Sequence, residues 1–73
     1  MKNIEKNIGL VIRRHRARLD LSQEEFAEKV DVHRTYISDI EFGKVSISLK
    51  VAQKVALALR IPLSKLIKEA EAQ

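Results

Sequence analysis

Apolar residues recur at three- and four-residue spacing in five successive segments of the chain. In the first segment, for example, the period runs through Ile8, Val11 and Ile12. This spacing places one face of an α-helix against a core, whereas a strand would alternate apolar and polar residues. We predict an all-α fold with a single domain, residues 1–73, whose helices span about 8–19, 23–30, 33–42, 49–60 and 63–71. Residues 1–7 are predicted to form an N-terminal arm, or the first turn of the first helix.

Capping residues mark the ends of these segments. Ser22 has the chemistry of an N-cap, and Glu25 three residues later completes a capping box. Asp20 and Gly43 follow helical segments where a left-handed residue commonly ends a helix. Pro62 stops the fourth helix and can begin the fifth, because its fixed φ suits the first helical turn. The helix boundaries are therefore predicted from two independent signals.

The third predicted helix has an unusual polar face. Its apolar side carries Tyr36, Ile37 and Ile40, as a buried helix face requires. The opposite side can donate or accept hydrogen bonds at every position and carries no long Glu or Lys; it consists of His33, Arg34, Thr35, Ser38 and Asp39. A merely solvated face is the alternative. We interpret this side as a surface that recognises a ligand.

The formal net charge of +4 is modest, but the charges are unevenly distributed. Basic residues cluster at Arg13, Arg14, Arg16 and Arg18, and acidic residues cluster at Glu24, Glu25 and Glu28. This asymmetry suits a protein with one face turned to phosphate, although a solvated basic helix is the alternative. The absence of cysteine excludes a disulfide framework and a thiolate metal site. Because no segment is typical of a signal peptide or a membrane span, a soluble cytoplasmic protein is expected.

The sequence contains no pattern typical of an enzyme. There is no glycine-rich phosphate loop and no HExxH motif, and cysteine is absent. His15 and His33 lie on separate predicted helices, without paired carboxylates for general acid–base catalysis or metal binding. We interpret His15 as a half-buried filler of the core rather than a switch. We therefore predict no catalytic residues, no metal and no cofactor.

The segment 21–43, the S-I-S-L loop after it and the helices of 49–67 resemble the lambda repressor/Cro-like (XRE-type) helix-turn-helix family. The similarity covers about residues 8–67 and is carried by Arg16, Ser22-Gln23-Glu24-Glu25, Ala27, Ile37, Glu41-x-Gly43 and Pro62. Within this family, the segments His33–Ser38 and Ile47-Ser48-Leu49 are most similar to the small controller proteins of restriction–modification systems.

The resemblance implies a compact five-helix DNA-binding domain whose helices 2 and 3 form the helix-turn-helix. It further implies a sequence-specific transcriptional regulator whose third helix enters the major groove of double-stranded DNA. The base-contacting residues would be Arg34, Thr35, Ser38 and Asp39. The phosphate-contacting residues would be Gln23, His33, Tyr36, Lys44, Ser46, Ser48 and Lys50. For Tyr36, packing against the core is the alternative. Arg16 and Glu41 would form a structural ion pair rather than contact DNA.

The chain departs from the family pattern at several positions. Asp20 stands where the family usually has Gly, and Phe42 and Val45 stand where many relatives carry basic residues. Two expected DNA contacts are therefore missing. Leu10, Val11 and Leu19 are apolar where a monomer would expose polar residues. They indicate an additional interface, or simply an apolar surface.

A homodimer on a two-fold symmetric operator is expected, because one recognition helix covers only a few base pairs. The predicted dimer interface consists of Val51, Leu57, Leu66, Ile67 and Ala70; the alternative is that these residues complete the monomer core. A second function class is an antitoxin-like or other protein-interaction module, which an exposed patch of Leu10, Val11 and Leu19 would favour. We expect a bacterial or phage protein associated with the nucleoid, with no membrane partner and no small-molecule ligand.

Overall fold

The computed structural model describes residues 3–73, which form five α-helices and no strand. The helices are α1 (Ile4–Arg18), α2 (Gln23–Val30), α3 (Arg34–Glu41), α4 (Leu49–Leu59) and α5 (Leu63–Glu71). This architecture confirms the predicted all-α, five-helix fold. None of the described helices is both long enough and apolar enough to cross a membrane.

Residues 4–7 form the first turn of α1, which was the alternative to an N-terminal arm, because the helix begins at Ile4. Asn3 is its N-cap, and the Asn3 side chain accepts a hydrogen bond from the backbone N–H of Lys6 at 3.1 Å. An asparagine at this position satisfies one of the unpaired N–H groups of the first turn, so the helix can begin earlier than the apolar period suggests. The remainder of the predicted arm, residues 1 and 2, lies outside the described residues.

Left-handed residues end four of the helices: Gly43 has φ 70° after α3, as predicted, and the other three residues are not glycines. Asp20 has φ 59° after α1, Asp31 has φ 64° after α2, and Arg60 has φ 62° after α4. The left-handed conformation was expected at Asp20, whereas Asp31 and Arg60 carried no comparable sequence signal.

At the start of α2, the predicted capping box is confirmed. The Ser22 hydroxyl accepts from the Glu25 backbone N–H at 3.0 Å, and the Glu25 carboxylate accepts from the Ser22 N–H at 2.9 Å.

All five helices contribute to one core. α1 packs against α3 and α5, α2 packs against α3 and α4, and α4 also contacts α1 and α5. The largest fully buried side chains are Phe26, Ile12, Ile37, Ile40, Leu66, Val11, Val30 and Val55. This arrangement buries the inner sides of α2 and α3 in apolar contacts, which fix the two helices of the predicted helix-turn-helix relative to each other.

α1 and α3 approach each other closely at Gly9. A Cβ atom on Gly9 would lie 2.3 Å from the carbonyl oxygen of Ile40 and 2.6 Å from that of Glu41. Only a glycine leaves room for these backbone atoms of α3. Gly9 therefore sets the distance between the N-terminal half of α1 and the C-terminal end of α3.

Three interface predictions are corrected by the packing. Leu66 and Ala70, predicted in the dimer interface, are completely buried inside the monomer, and Val11, predicted on an apolar surface, is 1% exposed. These residues lie on the sides of α1 and α5 that face the core, where the two helices pack against each other. Their burial completes the core of the single chain, which was the alternative interpretation for Leu66 and Ala70.

Candidate nucleic-acid interface

The outward side of α3 brings together the four predicted base-contacting residues. The inward side is anchored by Ile37, Ile40 and Glu41, all of which are buried. With about 100° per residue, the positions on the opposite side are those of the predicted set. Arg34 and Thr35 are exposed, while Ser38 and Asp39 are half-buried. The four side chains therefore form one hydrogen-bonding surface along about two turns of helix.

Tyr36 lies at the edge of this surface. It is half-buried and packs against the hydrophobic core. Its ring is therefore used in packing, as the alternative interpretation proposed, although the side chain is not fully enclosed. A phosphate contact would involve only its exposed part.

His33 begins α3 as its N-cap rather than its first helical residue. Its Nδ1 atom accepts a hydrogen bond from the backbone N–H of Thr35 at 3.1 Å. In a neutral imidazole whose Nδ1 is an acceptor, Nε2 carries the proton. Nε2–H forms no hydrogen bond with any described residue, so it remains a donor for an anion at the N-terminus of α3.

Arg16, Glu41 and Gln23 form a partly buried polar cluster behind the outward surface. Arg16 donates to both carboxylate oxygens of Glu41, from Nε to Oε2 at 2.6 Å and from Nη2 to Oε1 at 2.9 Å. A third Arg16 donor, Nη1, reaches the carbonyl oxygen of Leu21 at 2.8 Å. The Glu41 side chain has no exposed surface. This cluster joins the end of α1, the start of α2 and the end of α3.

Gln23 belongs to the same cluster, which changes its predicted role. Its side-chain Nε2 donates to Glu41 Oε1 at 3.0 Å. One of the two amide N–H groups is therefore already used inside the protein. Gln23 holds the two helices of the motif together, and only its second N–H and the backbone at the start of α2 are left for a phosphate.

The loop between α3 and α4 contains donors of different availability. Lys44 and Lys50 are exposed. Ser48 caps α4 by accepting from the backbone N–H of Val51 at 3.1 Å, which leaves its own O–H free to donate. Ser46, by contrast, donates to the Glu5 carboxylate at 3.2 Å. A phosphate at Ser46 would have to displace this contact, so Ser46 is the least available of the predicted phosphate residues in this loop.

A second long-range pair, His15 with Glu69, fastens α5 to α1. His15 is only 5% exposed, more deeply buried than the predicted half-buried filler, and its Nε2 lies 2.7 Å from Glu69 Oε1. The hydrogen bond from His15 lowers the pKa of the Glu69 carboxyl, and the positive charges of Lys65 and Arg18 contribute to the same shift. The two residues are 54 positions apart, so no local sequence signal connects them.

The expected apolar patch of Leu10, Val11 and Leu19 does not form. Val11 is in the core, Leu10 is 37% exposed and Leu19 is half-buried against the core. Nor do residues 3–73 contain a group of three or more His, Cys, Asp or Glu side chains that could hold a metal ion. Within residues 3–73, the candidate binding surface is therefore the outward side of α3 with the polar and basic residues on its flanks.

Comparison with known proteins identifies the motif. A helix-turn-helix family model matches residues 12–66. The chain is 40% identical over 72 residues to control protein C.MunI from a Mycoplasma species, a match covering 97% of each chain. It is also 42% identical over 60 residues to control protein C.BamHI from Bacillus amyloliquefaciens, covering 81% of this chain and 74% of that protein.

Solved structures give the same result. The restriction–modification controller protein C.AhdI from Aeromonas hydrophila superimposes with a TM-score of 0.81 and 33% identity, covering 84% of this chain and 92% of that one. The clp gene regulator ClgR from Corynebacterium glutamicum superimposes with a TM-score of 0.91 and 26% identity, covering 94% and 73%. These matches confirm the resemblance derived from the sequence. The chain therefore belongs to the helix-turn-helix family of DNA-binding transcriptional regulators.

Proposed function

We propose that this regulator binds a two-fold symmetric operator as a homodimer, with α3 in the major groove, and controls transcription in the manner of its control-protein relatives. The observation that carries the proposal is the outward surface of α3. It presents Arg34, Thr35, Ser38 and Asp39 on a helix whose opposite side is buried through Ile37, Ile40 and Glu41. A regulator of this kind acts at the nucleoid of a bacterial or phage-infected cell.

The chemistry of this surface suits base edges. The Arg34 guanidinium can donate two parallel hydrogen bonds to guanine O6 and N7, an interaction worth about 1–3 kcal/mol of discrimination. Thr35 offers a hydroxyl to a base or phosphate and a methyl group to thymine. Asp39 makes no hydrogen bond or ion pair with Arg34 in the structure, so its carboxylate is left to accept from a cytosine amino group.

Phosphate contacts would position α3 without reading sequence. His33 Nε2–H at the start of α3 and Ser48 O–H at the start of α4 are donors at helix N-termini, where an anion is favoured. The exposed amines of Lys44 and Lys50 add charge on the same flank. These four groups form the core of the proposed phosphate set, with Gln23, Tyr36 and Ser46 in secondary roles.

The dimer surface is proposed on the outer sides of α4 and α5. Leu57 is 73% exposed, and Val51 and Ile67 are half-buried, so these three members of the predicted interface are still accessible. Leu49, which is 75% exposed and lines a groove with Ile67, joins them. Exposed leucines on one small domain are apolar area that a self-complementary contact would bury.

The protein-interaction alternative lacks its expected feature, because Val11 is buried and Leu10 and Leu19 do not form a continuous patch.

The experiment that tests sequence-specific DNA binding is selection of bound duplexes from a randomised library at near-physiological salt. We expect a symmetric motif whose half-sites lie about one helical turn apart. Salt-sensitive retention without any enriched motif would contradict the proposal, because non-specific binding depends on phosphate alone.

A further inference from the structure

Phe42 continues the outward surface of α3 at its C-terminal end. It is the C-cap of the helix, and its backbone N–H donates to the carbonyl oxygen of Ser38, one turn earlier, at 3.0 Å. Phe42 follows Ser38 by one turn and Thr35 by two, so it lies on the same side. Its side chain is 54% exposed. An exposed aromatic ring therefore occupies the C-terminal end of this surface.

A cation from α1 stands over this ring. The Arg13 Cζ atom is 5.9 Å from the centroid of Phe42, within the range of about 6 Å for a cation–π interaction. Arg13 is exposed and forms no ion pair with any described carboxylate. The guanidinium is thus held at the end of the α3 surface while its N–H groups remain unpaired within residues 3–73.

Two further basic residues neighbour Gly43, the residue that follows Phe42. The backbone and Cγ of Lys6 lie against Gly43, and exposed Lys44 follows directly in the chain. The nearest buried carboxylate, Glu41, is already neutralised by Arg16. The last turn of α3 itself has no basic residue. The basic residues at this end of α3 therefore come from α1 and from the loop that follows α3.

We propose that Arg13 binds a DNA backbone phosphate, with the Phe42 ring as the platform that orients its guanidinium. Stacking on the ring would restrict the side chain and leave the planar fork of donors facing outward, the geometry that favours bidentate phosphate binding. The pair would supply, from a neighbouring helix, the basic group that the last turn of α3 lacks. This inference rests on the proposed function, because it requires α3 to lie against DNA.

Arg18 provides a matched control on the same helix. It is an exposed arginine like Arg13, but its charge acts on Glu69, on the side of α1 that faces α5. Arg14 lies on that side too, since it donates to the Gln73 side chain at the end of the chain. Removal of Arg18 therefore changes the net charge as much as removal of Arg13 does, but away from the α3 surface.

The test measures operator affinity as a function of salt for the full chain and for Arg13→Ala, Arg13→Lys, Phe42→Ala, Arg13→Ala/Phe42→Ala and Arg18→Ala. Arg13→Ala should lower the slope of log K against log salt by about one unit, because one phosphate contact is lost. Arg13→Lys should keep the slope but weaken binding, since the charge remains without the fork. Arg18→Ala should leave the slope unchanged.

Phe42→Ala should weaken binding mainly through Arg13, so the double variant should lose less than the sum of the two single losses. A slope that is equal in Arg13→Ala and the wild type, or reduced equally by Arg18→Ala, would overturn the inference. Thermal unfolding of each variant identifies a loss of folding. Wild-type protein that selects no motif would instead refute the proposed function, whereas a wild-type motif with an unchanged Arg13→Ala slope would refute only the role of Arg13.

Discussion

Arg16 of α1 and Glu41 of α3 form a bidentate ion pair in which the carboxylate side chain has no exposed surface and the arginine side chain is 15% exposed. A buried pair of this kind is stabilising when its polar atoms are satisfied, and here each guanidinium nitrogen and both carboxylate oxygens form at least one hydrogen bond. Removal of one member leaves the other charge buried and unpaired. The pair therefore makes the position of α3 dependent on α1.

Glu41→Ala should lower the free energy of unfolding by about 3–5 kcal/mol, because it strands Arg16 and also removes the acceptor of Gln23. Urea denaturation followed by circular dichroism measures this loss. The variant Arg16→Met/Glu41→Met is the control, and it should be more stable than Glu41→Ala because no charge is left unpaired. A loss below about 1 kcal/mol for Glu41→Ala would mean that the pair behaves like an exposed one.

Gly9→Ala should destabilise the protein, although alanine is the better helix former by about 1 kcal/mol. The new Cβ would overlap the carbonyl oxygens of Ile40 and Glu41, and overpacking of this kind costs about 1–3 kcal/mol. Chemical denaturation gives the change in unfolding free energy. Ala17→Gly, at an exposed position of the same helix, measures the propensity effect alone. Increased stability in Gly9→Ala would show that α1 can move away from α3 at little cost.

Glu69 should make the unfolding free energy depend on pH at the acid end. Its pKa is lower in the folded protein, chiefly through the hydrogen bond from His15, so the unfolded state binds more protons. The ionised Glu69 carboxylate adds its full contribution to the unfolding free energy at pH values above the ordinary glutamate pKa of about 4.3. This contribution is lost as the pH falls through the lower pKa of the folded state.

Unfolding midpoints of wild type and Glu69→Gln across the acid range test this dependence. The stability advantage of the wild type should shrink as pH falls. Glu25→Gln is a useful comparison, because the Glu25 pKa is also lowered, by its hydrogen bonds with Ser22 in the capping box. If the unfolding midpoints of wild type and Glu69→Gln differed by the same amount at all pH values, the His15–Glu69 hydrogen bond would not be the origin of the pH dependence.

Arg34→Ala should weaken specific DNA binding by about 1–3 kcal/mol and relax the preference at one base position of each half-site. Lys44→Ala should instead weaken binding to all sequences alike and reduce the salt slope by about one unit. Quantitative binding to the selected operator and to its single-base variants separates the two effects. If Arg34→Ala kept both the affinity and the base preference of the wild type, the proposal that α3 recognises the base sequence would be wrong.

Leu57→Ser should reduce the dimer fraction without lowering the stability of the monomer, because the Leu57 side chain is largely exposed. Leu66→Ala should instead lower the free energy of unfolding by about 2–5 kcal/mol, since Leu66 lies in the core rather than at the dimer surface. Sedimentation velocity at several concentrations and urea denaturation measure the two quantities. A Leu57→Ser protein with an unchanged dimer fraction would place the interface elsewhere.

The sequence by itself determined the number and type of the helices, the capping box of α2 and the outward surface of α3. Each of these depends on residues three or four positions apart, and local periodicity and cap chemistry are strong enough to specify them. The N-caps Asn3 and His33 belong to the same class of local signal. The family motif was visible for the same reason, since most of its markers lie within one continuous segment.

The tertiary structure decided how the apolar and charged residues are divided between core, clusters and surface. Leu66, Ala70 and Leu57 are all apolar residues on amphipathic helices, and only the packing of α4 and α5 against the other helices shows that the first two are core and the third is exposed. The contacts of His15 with Glu69 and of Arg13 with Phe42 join distant parts of the chain. Such contacts depend on how whole helices are placed, and local sequence patterns do not contain that information.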